Sequence, residues 1–279
     1  SLQEHSYDIP GNAYAKAITA NVAANAYLGT GGNASGEAFT NIGITGVDNP
    51  TVSVIGRWNQ YKVYDIFVLG NYAYLVTSHP HSEVVIIDLA QTPYTEVGYF
   101  SANGTANSVY VEGNTGYLAI DKYVYAFDVT SKTGSRPELG SKKIALNANW
   151  GKTDKVKKII VRNNIIFAVL EEDQYELVIV DANVKNNMQI ISQNNINNQQ
   201  GVGIYVSKDS TRTYITTTKS DTERDFYILD TSIKTGDRPV LGQYSTSGMD
   251  IKGMSINETD KRALLAGYNG QEYQVVNLI

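Results

Sequence analysis

The side chains that could carry chemistry in this 279-residue chain are few in kind: three histidines, 28 acidic residues and no cysteine. Without cysteine there is no disulfide framework, no thiolate nucleophile and no Cys-ligated zinc. Two histidines stand together in Ser78-His79-Pro80-His81-Ser82-Glu83. A His-x-His pair followed by a carboxylate offers imidazole and carboxylate donors to zinc or another transition metal. Pro80 suits a solvated hairpin loop just as well. His79, His81 and Glu83 are therefore the candidate metal ligands, with a plain loop as the competing reading. A second group of acids, Glu171, Glu172, Asp173, Asp221, Glu223 and Asp225, falls in two segments read as loops between second and third strands. On a shared loop face these acids would suit calcium or a cationic partner. The chain has no Asp-x-Asp-x-Asp-Gly loop, however.

Catalytic patterns are sparse. There is no Gly-x-Ser-x-Gly, and His5 is the one histidine left for a triad. Gly29-Thr-Gly-Gly32 and Gly201-Val-Gly203 precede no helical pattern, so a phosphate-cradling reading fails on context. A glycan-active hydrolase or lyase would draw its carboxylate pair from Asp65, Asp121 and Asp250, near inner strands. That alternative rests on fold analogy alone. The expectation is a protein that is not an enzyme and needs no cofactor.

The elements that position these residues come from a repeat. Asp128-Val-Thr-Ser-Lys-Thr-Gly-Ser-Arg-Pro-Glu-Leu-Gly140 and Asp230-Thr-Ser-Ile-Lys-Thr-Gly-Asp-Arg-Pro-Val-Leu-Gly242 share Asp, Lys, Thr, Gly, Arg, Pro, Leu and Gly without a gap. Each follows an apolar pentad that ends in Asp, and further pentads run from Val84 to Asp88 and from Leu177 to Asp181. Tyr273 to Asn277 is a variant, and Phe39 to Thr45 a degraded copy. The pentad Asp residues lie 40, 53 and 49 positions apart, the span of a propeller blade. Because this Asp recurs, it reads as scaffold: it ends the third strand and accepts hydrogen bonds from the turn that follows.

Within a unit four strands can be read. Gly70-Asn71, Gly113-Asn114 and Asn163-Asn164 join first to second strands as tight hairpins. Pentads are the third strands, and Thr95 to Phe100 or Val240 to Tyr244 the fourth. The predicted fold is a single-domain β-propeller spanning residues 1–279, with six blades of four antiparallel strands. Its blades are 13–60, 61–102, 103–147, 148–196, 197–247 and 248–279. The last stops after its third strand, and Leu2 to Ile9 within residues 1–10 is expected to complete it, which would hide an exposed edge.

Composition sets the remaining bounds. A chain with 42% hydrophobic and 18% charged residues can bury a sizeable core. The net charge of −5 argues against nucleic-acid or anionic-membrane binding. The basic stretch Lys155-Val-Lys-Lys158 reads as the start of a solvated strand. No apolar run reaches the roughly 20 residues of a membrane-spanning helix. Twenty tyrosines against six phenylalanines suit many half-wet strands. Asn33, Asn103 and Asn257 stand in glycosylation sequons.

The pentads also resemble a known family. Leu177-Val-Ile-Val-Asp181 spells the motif of the LVIVD-repeat family, and Val84-Val-Ile-Ile-Asp88 and Phe226-Tyr-Ile-Leu-Asp230 are close variants. Gly70-Asn-Tyr-Ala-Tyr74 and the segments leading to Pro and Leu-Gly are similar too, so the resemblance covers residues 61–247. It implies a β-propeller that is exported or displayed at the surface of a bacterium or archaeon, and it brings no catalytic residues. In some bacteria such repeats follow a pilin-like anchoring helix. A start at Ser1 fits the removal of a signal or an anchor. The expected function is a binding or adhesion module for a protein or glycan, with self-assembly into a filament or surface layer as the alternative.

Overall fold

The computed structural model describes residues 15–20, 25–31, 38–45, 51–146, 154–171, 174–220, 222–269 and 272–278. Strands fill them. The first sheet holds β1 (Ala15–Ala20), β2 (Asn25–Thr30), β3 (Phe39–Thr45) and β4 (Thr51–Trp58) in that order. The second holds β5 (Val63–Leu69), β6 (Tyr72–Thr77), β7 (Val84–Asp88) and β8 (Thr95–Phe100). In the third, β9 (Ala106–Glu112), β10 (Thr115–Ile120) and β11 (Tyr123–Asp128) are followed, after the two-residue β12 (Gly134–Ser135), by β13 (Glu138–Lys143). The fourth holds β14 (Val156–Arg162), β15 (Ile165–Leu170), β16 (Leu177–Asp181) and β17 (Gln189–Asn194). The fifth holds β18 (Gly201–Val206), β19 (Arg212–Thr217), β20 (Phe226–Asp230) and β21 (Val240–Tyr244). The sixth holds β22 (Asp250–Asn257), β23 (Arg262–Tyr268) and β24 (Tyr273–Asn277).

This is the predicted six-bladed, all-β propeller, with two differences in strand number. The second sheet has five strands, because β12 leaves its own sheet and pairs in parallel with β8. The sixth has three among the described residues; the expected closing strand, Leu2 to Ile9, lies outside them.

The hairpins form where the sequence placed them. Gly70 and Gly113 sit at φ 59°, and Asn163 and Asn164 at φ 54° and 60°, the left-handed region that Gly and Asn enter most cheaply. The pentads of β7 and β16 are wholly buried over Val84–Ile87 and Leu177–Val180. Burial on both faces explains their unbroken apolar run, since no position needs a polar residue.

The chain divides into two compact units, Ser1–Leu118 with Phe127–Glu138, and Ala119–Ala126 with Leu139–Ile279. In the first, Phe100 stacks on Phe127 with ring centroids 4.4 Å apart. Gly116 leaves room for the Phe127 ring, which any Cβ there would strike. Tyr27, Phe39, Trp58, Leu75, Ile87 and Tyr94 make up much of the neighbouring core. In the second unit, Tyr214, Phe226, Met249, Ile251 and Leu265 pack together. Truncating a buried aromatic such as Phe226 to Ala costs about 3–5 kcal/mol.

The fourth strands share a detail that matters below. Opposite the third residue of the pentad stands a small residue, followed by a bulge: Gly56 faces Asn41, Gly98 faces Ile86, Ser192 faces Ile179 and Gly242 faces Ile228.

Candidate functional site

The polar residues fall into three repeated devices. The first is the pentad Asp. Asp88 Oδ1 accepts the Ala90 N–H at 2.9 Å, Asp128 the Thr130 N–H at 2.7 Å and Asp181 the Asn183 N–H at 2.9 Å. Asp230 Oδ1 takes both the N–H and the hydroxyl of Ser232, at 2.9 and 2.6 Å. Hydrogen bonds from Thr130 and Ser232 hold the Asp128 and Asp230 carboxyls below the usual carboxylate range. Each is an Asx turn that starts the loop after the third strand.

The second device is a buried carboxylate on the residue just before the pentad. Glu83 accepts the N–H groups of Ala102 and Gly104 at 2.8 and 3.2 Å. Glu176 accepts those of Ile196 and Gln199 at 2.6 and 3.0 Å. Asp225 takes the N–H and hydroxyl of Thr246 at 2.8 and 2.5 Å. In each sheet this carboxylate clamps the chain as it leaves the fourth strand. In the third sheet Tyr123 stands at this position, and the neighbouring Lys122 pairs at 3.4 Å with the buried Asp154 of the following linker. Burial raises the Glu176 carboxyl above its usual range, against the pull of backbone N–H groups. Sequence reading missed this device. Its signal was present, as an acid immediately before the pentad at Glu83, Glu176, Asp225 and Glu272.

The clamps bear on two expectations. Among the described residues no three His, Asp or Glu side chains converge as a metal site. Glu83 is spent on backbone amides, and His79 Nδ1 accepts the His81 N–H at 3.0 Å while the His79 ring lies edge-on to Tyr61. His79 and Glu83 do line a shallow cleft of about 450 Å³ with Tyr64 and Asn103. The acidic loop face is likewise dispersed. Glu171 pairs with Lys155 and Lys157 at 3.4 and 3.0 Å, Asp225 is a clamp, and Glu223 is exposed. Glu172, Asp173 and Asp221 lie outside the described residues.

The inner-strand acids are also engaged. Asp65 is buried and accepts the Val109 N–H at 3.1 Å. Asp121 takes φ 46° in the turn between β10 and β11. Asp250 pairs with Lys252 at 3.1 Å.

The third device is the repeated Lys-Thr-Gly-x-Arg-Pro loop. Lys132 donates to the Val129 carbonyl, and Lys234 to the carbonyls of Thr231 and Ser210. The arginine turns back on its own loop: Arg136 Nη1 reaches the Ser131 carbonyl at 2.7 Å, and Arg238 Nε the Gly236 carbonyl at 3.1 Å. Closed in this way, the loop seats on the outer strand of the preceding sheet. Arg136 N–H donates to the Tyr99 carbonyl at 2.8 Å, and Gly236 N–H to that of Ile191 at 3.2 Å. This latch covers the unpaired edge that a fourth strand would otherwise expose.

Among the described residues no loop seats on β21 as the latches seat on β8 and β17. Val240, Leu241 and Tyr244 are 48%, 54% and 40% exposed. Beside them runs a groove of about 520 Å³, lined by Phe226, Ile228, Leu241, Tyr244, Val276 and Leu278, with Arg212 at its side. Apolar side chains predominate in its lining.

No family model and no curated protein matches this chain. Its fold is found widely among solved structures. A chain of a mitotic checkpoint complex is similar over 97% of this chain and 76% of its own length, with a TM-score of 0.75 and 10% identity. The β-propeller domain of Myceliophteria thermophila Cps50 (Swd1) is similar over 100% and 86%, with a TM-score of 0.71 and 6% identity. A proposed 6-phosphogluconolactonase of Bacteroides uniformis is similar over 93% and 80%, with a TM-score of 0.70 and 11% identity. At these identities the likeness is one of fold: the chain is a β-propeller.

Proposed function

We propose that this chain is a non-enzymatic binding module whose partner is a protein, held at the groove along β21. One observation carries the reading. Among the described residues, acids that could do chemistry are tied into turns and clamps, whereas β21 presents exposed apolar side chains beside a concave surface. Extended protein segments recognise such an edge through main-chain hydrogen bonds and alternating side-chain pockets. Rigid aromatic residues such as Tyr244 add contact area at little entropic cost. A glycan would ask for a polar, aromatic-floored cleft, and Leu241, Val276 and Leu278 make this groove apolar. A propeller found within a mitotic checkpoint complex supports the use of the fold in protein assemblies. The pentad resemblance adds to the proposal that the module works outside the cell or at the surface of a bacterium or archaeon.

Panning a displayed library of random peptides on the immobilised chain tests this. Enriched peptides are expected to lose binding to the Leu241→Asp/Tyr244→Ser variant, whose melting temperature should match the parent's because both residues are exposed. Enrichment of no peptide, or peptides that bind parent and variant alike, would count against the site. Glycan-array binding that survives the double substitution would replace the protein partner with a sugar.

A further inference from the structure

The three glycosylation sequons are not alike in the folded chain. Asn33 lies outside the described residues. Asn257 closes the turn between β22 and β23 with its own carboxamide: Nδ2 donates to Asp260 Oδ2 and Oδ1 accepts the Asp260 N–H, both at 2.9 Å. An amide held at both ends does not present its nitrogen to a reagent.

Asn103 is held by its neighbours rather than by its own side chain. Glu83 accepts the N–H groups on either side of it, from Ala102 and Gly104, and so fixes the turn between β8 and β9. Asn103 stands at the tip of that turn, exposed, at φ 56°, a left-handed conformation that Asn adopts more readily than most residues. Its carboxamide makes no hydrogen bond among the described residues. Gly104 adds no side chain beside it, and Thr105, which supplies the sequon hydroxyl, is exposed as well.

The surroundings of that amide suit a sugar. Asn103 lines the cleft of about 450 Å³ together with Tyr64, Ser78, His79, Pro80 and Thr105. The Tyr64 side chain reaches solvent there, with the residue 41% exposed. A pyranose has an apolar C–H face that packs on an aromatic ring and a rim of hydroxyls that need polar neighbours. Tyr64 provides the first, and the hydroxyl and imidazole groups of Ser78, Thr105 and His79 the second. A concavity of this size has room for a small molecule.

We propose that Asn103 is a modification site, the acceptor of an N-linked glycan whose first sugar lies in this cleft against Tyr64. The transfer forms the bond from sugar C1 to Nδ2 and breaks the C1–O bond to the diphosphate of a lipid-linked donor. The diphosphate leaves with the electron pair, and one Nδ2 proton passes to a base of the transferase. This rests on the reading that the module works outside the cell, because sequons are used on surface loops of secreted proteins.

The test secretes the full chain from yeast and trims each glycan to its first sugar with an endoglycosidase. Mass spectrometry of the peptides is expected to find that sugar on Asn103 and none on Asn257. Thr105→Ala, which breaks the sequon and leaves Asn103 in its turn, should remove it. A secreted chain with Asn103 bare, or with Asn257 carrying the sugar instead, overturns the site. Each trimmed chain is then melted beside the same chain made without sugar in bacterial cytoplasm. The sugar should raise the parent's melting temperature by about 2–4 °C, and neither Thr105→Ala nor Tyr64→Ala should show that gain. No gain in the parent, or an equal gain in Tyr64→Ala, takes the sugar out of the cleft and overturns that part of the proposal. Because yeast supplies the export step, a bare Asn103 leaves the β21 groove untouched, and a groove that enriches no peptide leaves Asn103 standing.

Discussion

At the residue scale, position decides whether a carboxylate in this protein is structural or available. Glu176 and Glu272 each precede a pentad, but the first is fully buried on two backbone amides and the second is exposed. Glu176→Gln turns an NH2 group toward one of those amides and leaves a buried donor unpaired, at a cost of about 1–3 kcal/mol. Glu272→Gln should leave the urea midpoint where it is. A loss at Glu272 as large as that at Glu176 would mean that its clamp is filled in the free chain. The pair also differs in pH dependence. Burial raises the folded-state pKa of Glu176, so the folded chain binds that proton more tightly than the unfolded one. Stability then falls as pH rises from the unfolded carboxylate value, about 4.3, through the higher folded one, and is level above it. Glu176→Gln should remove this slope from a pH series of denaturation midpoints.

At the scale of elements, the fourth strand with its latch is the repeating joint, and its small residue is the sensitive point. Gly98→Val drives a side chain into the Lys132 and Gly134 carbonyls, which are backbone and cannot step aside. A loss of about 1–3 kcal/mol is expected, with β12 displaced from β8. Gly242→Val makes only ordinary van der Waals contact, with the Ile228 side chain at 3.6 Å, and should be neutral or slightly stabilising, as a branched residue on an exposed strand. Equal losses from the two would show that β21 is covered as β8 is. The pentads, hairpin turns and Asx turns were legible in the sequence because they depend on neighbours along the chain: a run of apolar residues, a Gly-Asn pair, an Asp two residues before its donor. The latch seats and clamps were not, because Gly98 and Lys132, or Glu176 and Gln199, meet only across sheets or around a whole strand. The identical Lys-Thr-Gly-x-Arg-Pro runs were plain in the sequence, but their purpose needed the neighbour on which they lie. The engagement of Glu83 was hidden for the same reason, since nothing adjacent in sequence announced that its carboxylate accepts from Ala102 and Gly104.

At the scale of the whole molecule, stability should be graded along the chain rather than uniform, because the number of covered edges differs from sheet to sheet. β7 lies inside a five-stranded sheet whose outer strand carries a latch, and its first four residues are fully buried. β16 is equally buried, and its outer neighbour β17 holds the Gly236 loop. β21 has apolar side chains in solvent and no latch, and β24 is the last strand of a three-stranded sheet among the described residues. Local opening is easiest where backbone hydrogen bonds are exposed and apolar contacts few. Hydrogen exchange followed by mass spectrometry should therefore find the slowest amides in β7 and β16, intermediate ones in β17, and the fastest strand amides in β21 and β24. If β21 and β24 already exchange as slowly as β17, the free molecule keeps that edge closed, and any partner would have to displace what closes it.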